Sequence, residues 1–151
     1  VRRFVRVGVV AGVLLVDDYA HHPTEIAATL AAARGAHAER RLVAVFQPHL
    51  YSRTRDFHRE FGRALAAADV VFVTDVYAAR EQPLPGITGE MIAEAARAAG
   101  ADVRYVASRG EVVGRVAEEL RAGDLCVTLG AGNLDAAARE LLAVLGSVVR
   151  A

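Results

Sequence analysis

A chain of 151 residues that is 54% hydrophobic can bury the core of one domain, and its 18 basic and 18 acidic residues cancel. That balance gives no strong field for nucleic acid or an anionic membrane, and no apolar run approaches the roughly 20 residues needed to cross a bilayer. One cysteine, Cys126, leaves no internal disulfide, and no signal peptide is visible, so the expected compartment is the cytoplasm. All 18 basic residues are arginine. Without lysine the chain holds neither a P-loop of the G-x-x-x-x-G-K-[ST] type nor a Schiff-base lysine, so any phosphate chemistry uses arginine, histidine and backbone amides.

Residues 2–10 alternate apolar and charged positions, Ala11-Gly12 can turn, and residues 13–16 read as a buried strand, which predicts an opening β-hairpin. Pro23 suits the first turn of a helix whose face is Ile26, Ala27, Leu30 and Ala33, with Gly35 as its stop. Residues 42–46 form the next strand and lead into a polar loop over 47–55. Phe57, Phe61, Ala64 and Leu65 mark a second helix. Residues 70–74 are strand-like, and a long connection over 76–89 is of a length that is often functional.

A helix over 90–99 presents Ile92, Ala95, Ala96 and Ala99, and residues 103–106 form a short strand. Ser108 and Glu111 have capping-box spacing before a helix with the face Val112, Val113, Val116 and Leu120. Residues 125–129 are the last strand. Gly130-Ala131-Gly132-Asn133 then leads into a helix with Leu134, Ala137, Ala138, Leu141 and Leu145 on one side. Strands apolar on both faces, alternating with helices, predict an α/β domain over 1–151: a three-layer α/β/α, Rossmann-like fold with a mostly parallel sheet of about six strands and an N-terminal antiparallel hairpin.

In such a sheet the polar segments after the strands gather at one edge, where ligands bind. The first, Asp17-Asp18-Tyr19-Ala20-His21-His22-Pro23-Thr24-Glu25, places carboxylates, a phenol and imidazoles where a strand hands over to a helix. A solvated strand end with a helix-dipole interaction is the alternative reading of Asp17-Asp18. The adjacent histidines have no cysteine or histidine partner at metal-ligand spacing, so no metal site is expected. A phospho-aspartate would be helped by a lysine, and there is none. His49, Arg53 and Arg55 are either a solvated loop or a fork-shaped holder for phosphate or carboxylate. Gly130-Ala131-Gly132-Asn133 lacks the third glycine of a dinucleotide fingerprint, Asp135 standing there, but suits an anion nest. Cys126, among Leu125, Val127 and Leu129, reads as a buried inert thiol.

Together these segments resemble the C-terminal domain of the Mur ligases, and most of all the branch that adds alanine. The resemblance rests on the Asp17 to Glu25 motif and on Phe46-Gln47-Pro48-His49-Leu50-Tyr51-Ser52-Arg53-Thr54-Arg55. Val76-Tyr77-Ala78-Ala79-Arg80-Glu81, Pro85-Gly86 and the Gly130 segment follow in the family's order, so that residues 3–145 are covered. It implies an ATP-dependent ligase that joins L-alanine to the lactyl carboxylate of UDP-N-acetylmuramate through an acyl phosphate in peptidoglycan synthesis. The N-terminal UDP-binding domain and a central ATPase domain, which carries the lysine and most of the Mg2+ binding, would lie outside this fragment. The fragment alone is then expected to be inactive.

By the same resemblance Asp18 would meet the ATP ribose and Tyr19 the nucleotide. His21 and Arg53 would face the transferring phosphate or the amino acid, with His49 supporting them. Gly130, Ala131, Gly132 and Asn133 would offer amides to a substrate carboxylate. Leu50 departs from the arginine that many members carry. The alternatives are a murein-peptide recycling ligase domain, whose second motif differs from residues 46–54, and a non-catalytic nucleotide-binding module.

Overall fold

The computed structural model describes residues 3–150. Six strands form one sheet in the order β1-β2-β6-β3-β4-β5: β1 Val5–Val10, β2 Val13–Asp18, β3 Leu42–Phe46, β4 Val70–Val73, β5 Val103–Tyr105 and β6 Leu125–Leu129. β1 and β2 are the expected antiparallel hairpin, and every other pairing is parallel. The hairpin turns at Ala11-Gly12, both with positive φ, and β1 carries an irregularity between Arg6 and Gly8. Arg2, included in the expected strand, lies outside the described residues.

Helices α1 Pro23–Ala36, α2 Tyr51–Leu65 and α3 Glu90–Ala98 cover one face; α4 Arg109–Glu119 and α5 Ala137–Arg150 cover the other. Side chains alternate across a strand, and β2 divides accordingly. Leu14 and Val16 join Ile26, Leu30, Phe46, Phe61 and Leu65 in one core; Val13 and Leu15 join Val112, Val116, Leu141 and Leu145 in the other. Each core excludes water from its own layer, so the sheet is apolar on both sides, as a parallel sheet requires. α2 and α3 meet closely at Gly62, where an added Cβ would lie 2.5 Å from the backbone of Ala95.

Several local expectations are corrected. The buried face of α1 uses Thr29 in place of Ala27, because positions 26, 29, 30 and 33 subtend the narrower arc that meets the sheet, and the helix runs one residue past Gly35. Residues 51–55 are not loop but the first turn of α2. Thr54 is buried there with its hydroxyl donating to Leu50 O at 2.9 Å, while Phe57 is exposed. Ser108 stands at the N-cap of α4 without a side-chain capping bond, so the Ser108–Glu111 box does not form. A carboxylate cap exists instead at α1, where Glu25 Oε1 accepts the backbone amides of His21 and His22.

Candidate functional site

Register brings the polar segments level. Asp18 pairs with Leu129, Leu129 with Phe46, and Phe46 with Val73, so the strands β2, β6, β3 and β4 end in one row. Backbone bonds continue past the row: Gly130 N donates to Asp18 O at 3.2 Å, Gln47 N to Leu129 O at 3.1 Å and Thr74 N to Phe46 O at 3.0 Å. Residues 19–22, 47–50, 74–81 and 130–133 therefore share one edge.

The first motif is shaped by its carboxylates, which turn inward. Asp18 is buried, accepting the amides of Phe4 and Ala20 at 2.8 Å each and approached by Arg3 at 3.5 Å. In this conformation it organises the loop through the Phe4 and Ala20 amides. Asp17 is buried too and takes the Thr128 hydroxyl at 2.7 Å. Glu25 holds the His21 and His22 amides and pairs with Arg3 at 3.1 Å. Burial pushes the Glu25 pKa up, but the two amides and the neighbouring charges of His21 and Arg3 outweigh it, so the carboxyl sits below its usual range.

With the carboxylates engaged, the rings face the edge. His21 Nδ1 lies 2.9 Å from Tyr19 O. A carbonyl only accepts, so this nitrogen carries the hydrogen, and neutral His21 presents a bare Nε2. His49 Nδ1 lies 3.3 Å from Arg53 Nη1. A guanidinium only donates, so His49 holds its hydrogen on Nε2, the opposite tautomer. Burial lowers the His49 pKa, and the charges of Arg53 and His21 lower it further. Neutral His49 is thereby favoured.

Four rings line up along the edge. Tyr19 and His21 centroids are 4.9 Å apart, His21 and His49 5.8 Å, and His49 stacks on Tyr77 at 5.8 Å with 15° between planes. His49 and Arg53 come together because α2 begins at Tyr51, one turn separating them. Leu50, between the two, has φ 74°, a conformation costly for a branched side chain and found at sites where the surroundings enforce it. The enforcing partner is Tyr77: Leu50 N donates to Tyr77 O at 2.9 Å and Tyr77 N to Pro48 O at 2.8 Å.

Arg55 is not part of the group; it points outward to Asp56 at 2.9 Å. The Gly130 segment is more tightly built than an open nest. The amide of Gly130 is taken up by Asp18 O, and Asn133 Oδ1 accepts from Gln47 Nε2. A Cβ on Gly132 would fall 2.6 Å from both Gln47 Oε1 and the Tyr77 ring. Ala131 and Gly132 occupy the turn before a short 3-10 helix, Asn133–Ala136. Sequence reasoning missed Gln47, which is buried between β3 and this turn with Oε1 unpartnered among the described residues. It also gave no separate role to Tyr77 or Glu81, whose partners are far away in the chain. Cys126 is buried as expected, its pKa pushed up to about 12 by burial. Among the described residues, no group of three or more His, Cys, Asp or Glu side chains could hold a metal ion.

With both imidazoles in their neutral forms the edge offers one nitrogen lone pair on His21, one N–H on His49 and the guanidinium of Arg53. Among the described residues Arg53 forms no ion pair with a carboxylate. That set suits an anion lying beside an amine.

The profile of the family described as "Mur ligase, glutamate ligase domain" matches residues 2–132. The chain belongs to that family. It is 54% identical over 145 residues to the UDP-N-acetylmuramate–L-alanine ligase of Cutibacterium acnes, a match covering 95% of this chain and 31% of that protein. Among solved structures it is similar to the UDP-N-acetylmuramate–alanine ligase of Thermotoga maritima, with 26% identity and a TM-score of 0.81 over 97% of this chain and 30% of that one. The murein peptide ligase of Psychrobacter arcticus is also similar, at 27% identity and a TM-score of 0.77 over 96% and 30% of the two chains. The chain thus spans about a third of the length of the relatives it matches. In this Mur ligase domain the edge where β2, β6, β3 and β4 end is the candidate site.

Proposed function

We propose that this chain is the C-terminal domain of an ATP-dependent ligase that joins L-alanine to UDP-N-acetylmuramate in the cytoplasm. The 54% identity across nearly the whole chain to a protein of that name carries the reading. The rest of the ligase, with its UDP-binding and ATPase domains, would correspond to the length of the relatives that this chain does not span. ATP supplies the phosphoryl group that activates the lactyl carboxylate. Mg2+ stands in the proposal as a ligand of the other domains.

This chain's residues then act as one wall of the site. Arg53 and the Nε2–H of His49 donate to phosphate oxygens, a role that positioning and charge make effective in phosphoryl transfer. The Nε2 of neutral His21 accepts a proton from the amine of L-alanine as that amine attacks the acyl-phosphate carbonyl; the C–N bond forms, the C–O bond to phosphate breaks, and inorganic phosphate leaves. Tyr19 lies beside the nucleotide, and Asp18 shapes the loop that presents it. Ala131 and Gly132 face the carboxylate of the amino acid. Closure of this edge over the ATPase domain would shield the activated carboxylate from water.

The test is phosphate release by the full-length protein carrying this chain, given ATP, UDP-N-acetylmuramate and either L-alanine or a murein peptide. Release that depends on L-alanine is expected. A preference for the peptide would move the assignment to recycling, and submillimolar ATP binding by the isolated chain would favour a self-contained nucleotide module.

A further inference from the structure

The connection from β4 to α3 crosses the site with little regular structure, yet it is pinned at three places. Asp75 Oδ1 accepts Val76 N at 2.8 Å and Gly89 N at 2.9 Å, closing the base of the loop. Tyr77 is bonded on both sides of His49, to Pro48 O and to the amide of the strained residue Leu50, and its ring stacks on His49. Ala79 then adopts φ 55° and Glu81 N donates to Ala78 O at 3.0 Å, a turn that sends Glu81 back to α2. There its carboxylate accepts Ser52 N at 3.1 Å and the Ser52 hydroxyl.

The first N–H groups of a helix have no partner within it, and α2 starts with Leu50 at its N-cap and no acid in its first turn. Glu81 supplies the missing acceptor from 29 residues downstream. The Ser52 hydroxyl, with the burial of the carboxylate opposing it, keeps the Glu81 pKa below its usual range, so the group holds its charge. Ser52 directly precedes Arg53. Residues 49–53 are consequently gripped from one side by two points of the same segment, Tyr77 at Leu50 and Glu81 at Ser52.

We propose that Glu81 is a positioning residue: by gripping the first turn of α2 it holds the 77–81 segment across the edge, and so keeps Tyr77 over His49 and His49 in the tautomer that accepts from Arg53. The importance of that geometry rests on the reading of the edge as a ligase site, but the geometry itself is measurable without any ligand. Imidazole nitrogen and proton NMR of the 151-residue chain should show His49 with Nδ1 unprotonated and a nuclear Overhauser contact to the Tyr77 ring. Glu81→Ala should lose that contact and give a mixed His49 tautomer while the sheet amides keep their resonances. Ser52→Ala should weaken the same contact, and Glu81→Gln, which retains an oxygen for Ser52 N–H, should keep most of it. If Glu81→Ala disturbs the sheet itself, Ser52→Ala decides the matter. An unchanged His49 signature in Ser52→Ala and in a folded Glu81→Ala overturns the proposal. Failure of the alanine-dependent assay would overturn the ligase reading and leave the His49 measurement intact.

Discussion

The two ends of the sheet treat arginine in opposite ways. Where the strands begin, Arg41 forks onto Asp124 at 2.9 and 2.8 Å and reaches Glu119 O at 3.0 Å. Arg40 donates to Gly12 O and Asp124 O, and Arg34 to Asp69. Asp124, 2% exposed at its side chain, also accepts Arg121 N. Where the strands end, Arg53 meets the nitrogen of a neutral histidine, and the nearby carboxylates of Asp17, Asp18, Glu25 and Glu81 are held by amides, hydroxyls or Arg3. A saturated guanidinium ties strands together and has nothing left to offer a ligand. An arginine kept from carboxylates retains its donors. One end of the sheet uses its arginines to tie strands together; the other leaves the donors of Arg53 out of carboxylate pairs.

That contrast is most sharply broken by Asp124→Ala. It strands Arg41 and removes the acceptor for Arg121 N, and should cost about 3 kcal/mol, the scale for breaking a buried pair. Urea unfolding measures it, and a loss below about 0.5 kcal/mol, the range of ordinary surface changes, would dissolve the distinction. Arg53→Ala should do the reverse. Unfolding stability should stay within about 0.5 kcal/mol. Alanine-dependent phosphate release by the full-length protein should fall at least tenfold, about 1.4 kcal/mol in the barrier.

The smallest effect concerns His49. Its folded pKa lies below 6.5, so the unfolded chain takes up a proton more readily than the folded one. The associated stability is present above pH 6.5 and is lost as the pH falls through that value toward the folded pKa. NMR titration should find the His49 midpoint below 6.5, rising in Arg53→Ala as a positive neighbour is removed. An unmoved midpoint would separate Arg53 from His49 electrostatically.

Much of this molecule was legible from local pattern. The continuous apolar runs locate the strands, turn residues locate the hairpin, and the strand-to-helix junctions place His21, His49, Arg53 and Gly130 at one edge. What stayed hidden depends on partners distant in sequence. The start of α2 at Tyr51 is set by Glu81, so residues 51–55 carry no local helix signal and read as loop. Ser108 and Glu111 have the spacing of a capping box, but spacing alone does not fix side-chain direction. The inward turn of Asp18 was also hidden, since it is made with the amides of Phe4, across the hairpin, and Ala20. Gln47 gave no sign that it would sit against Gly132, since that meeting is made by the parallel pairing of β3 with β6.

The hairpin has a consequence for how copies of the chain meet one another. The outermost strands are the places where a foreign strand could add. β1 is interrupted between Arg6 and Gly8, with Arg6 exposed beside the exposed Val5 and Val9. At the opposite margin β5 is only three residues long, and its central Arg104 is tied to Asp102 and Glu119. Neither margin offers a long, flat, uncharged template, so the sheet closes its own growth at six strands and the molecule resists edge-to-edge aggregation.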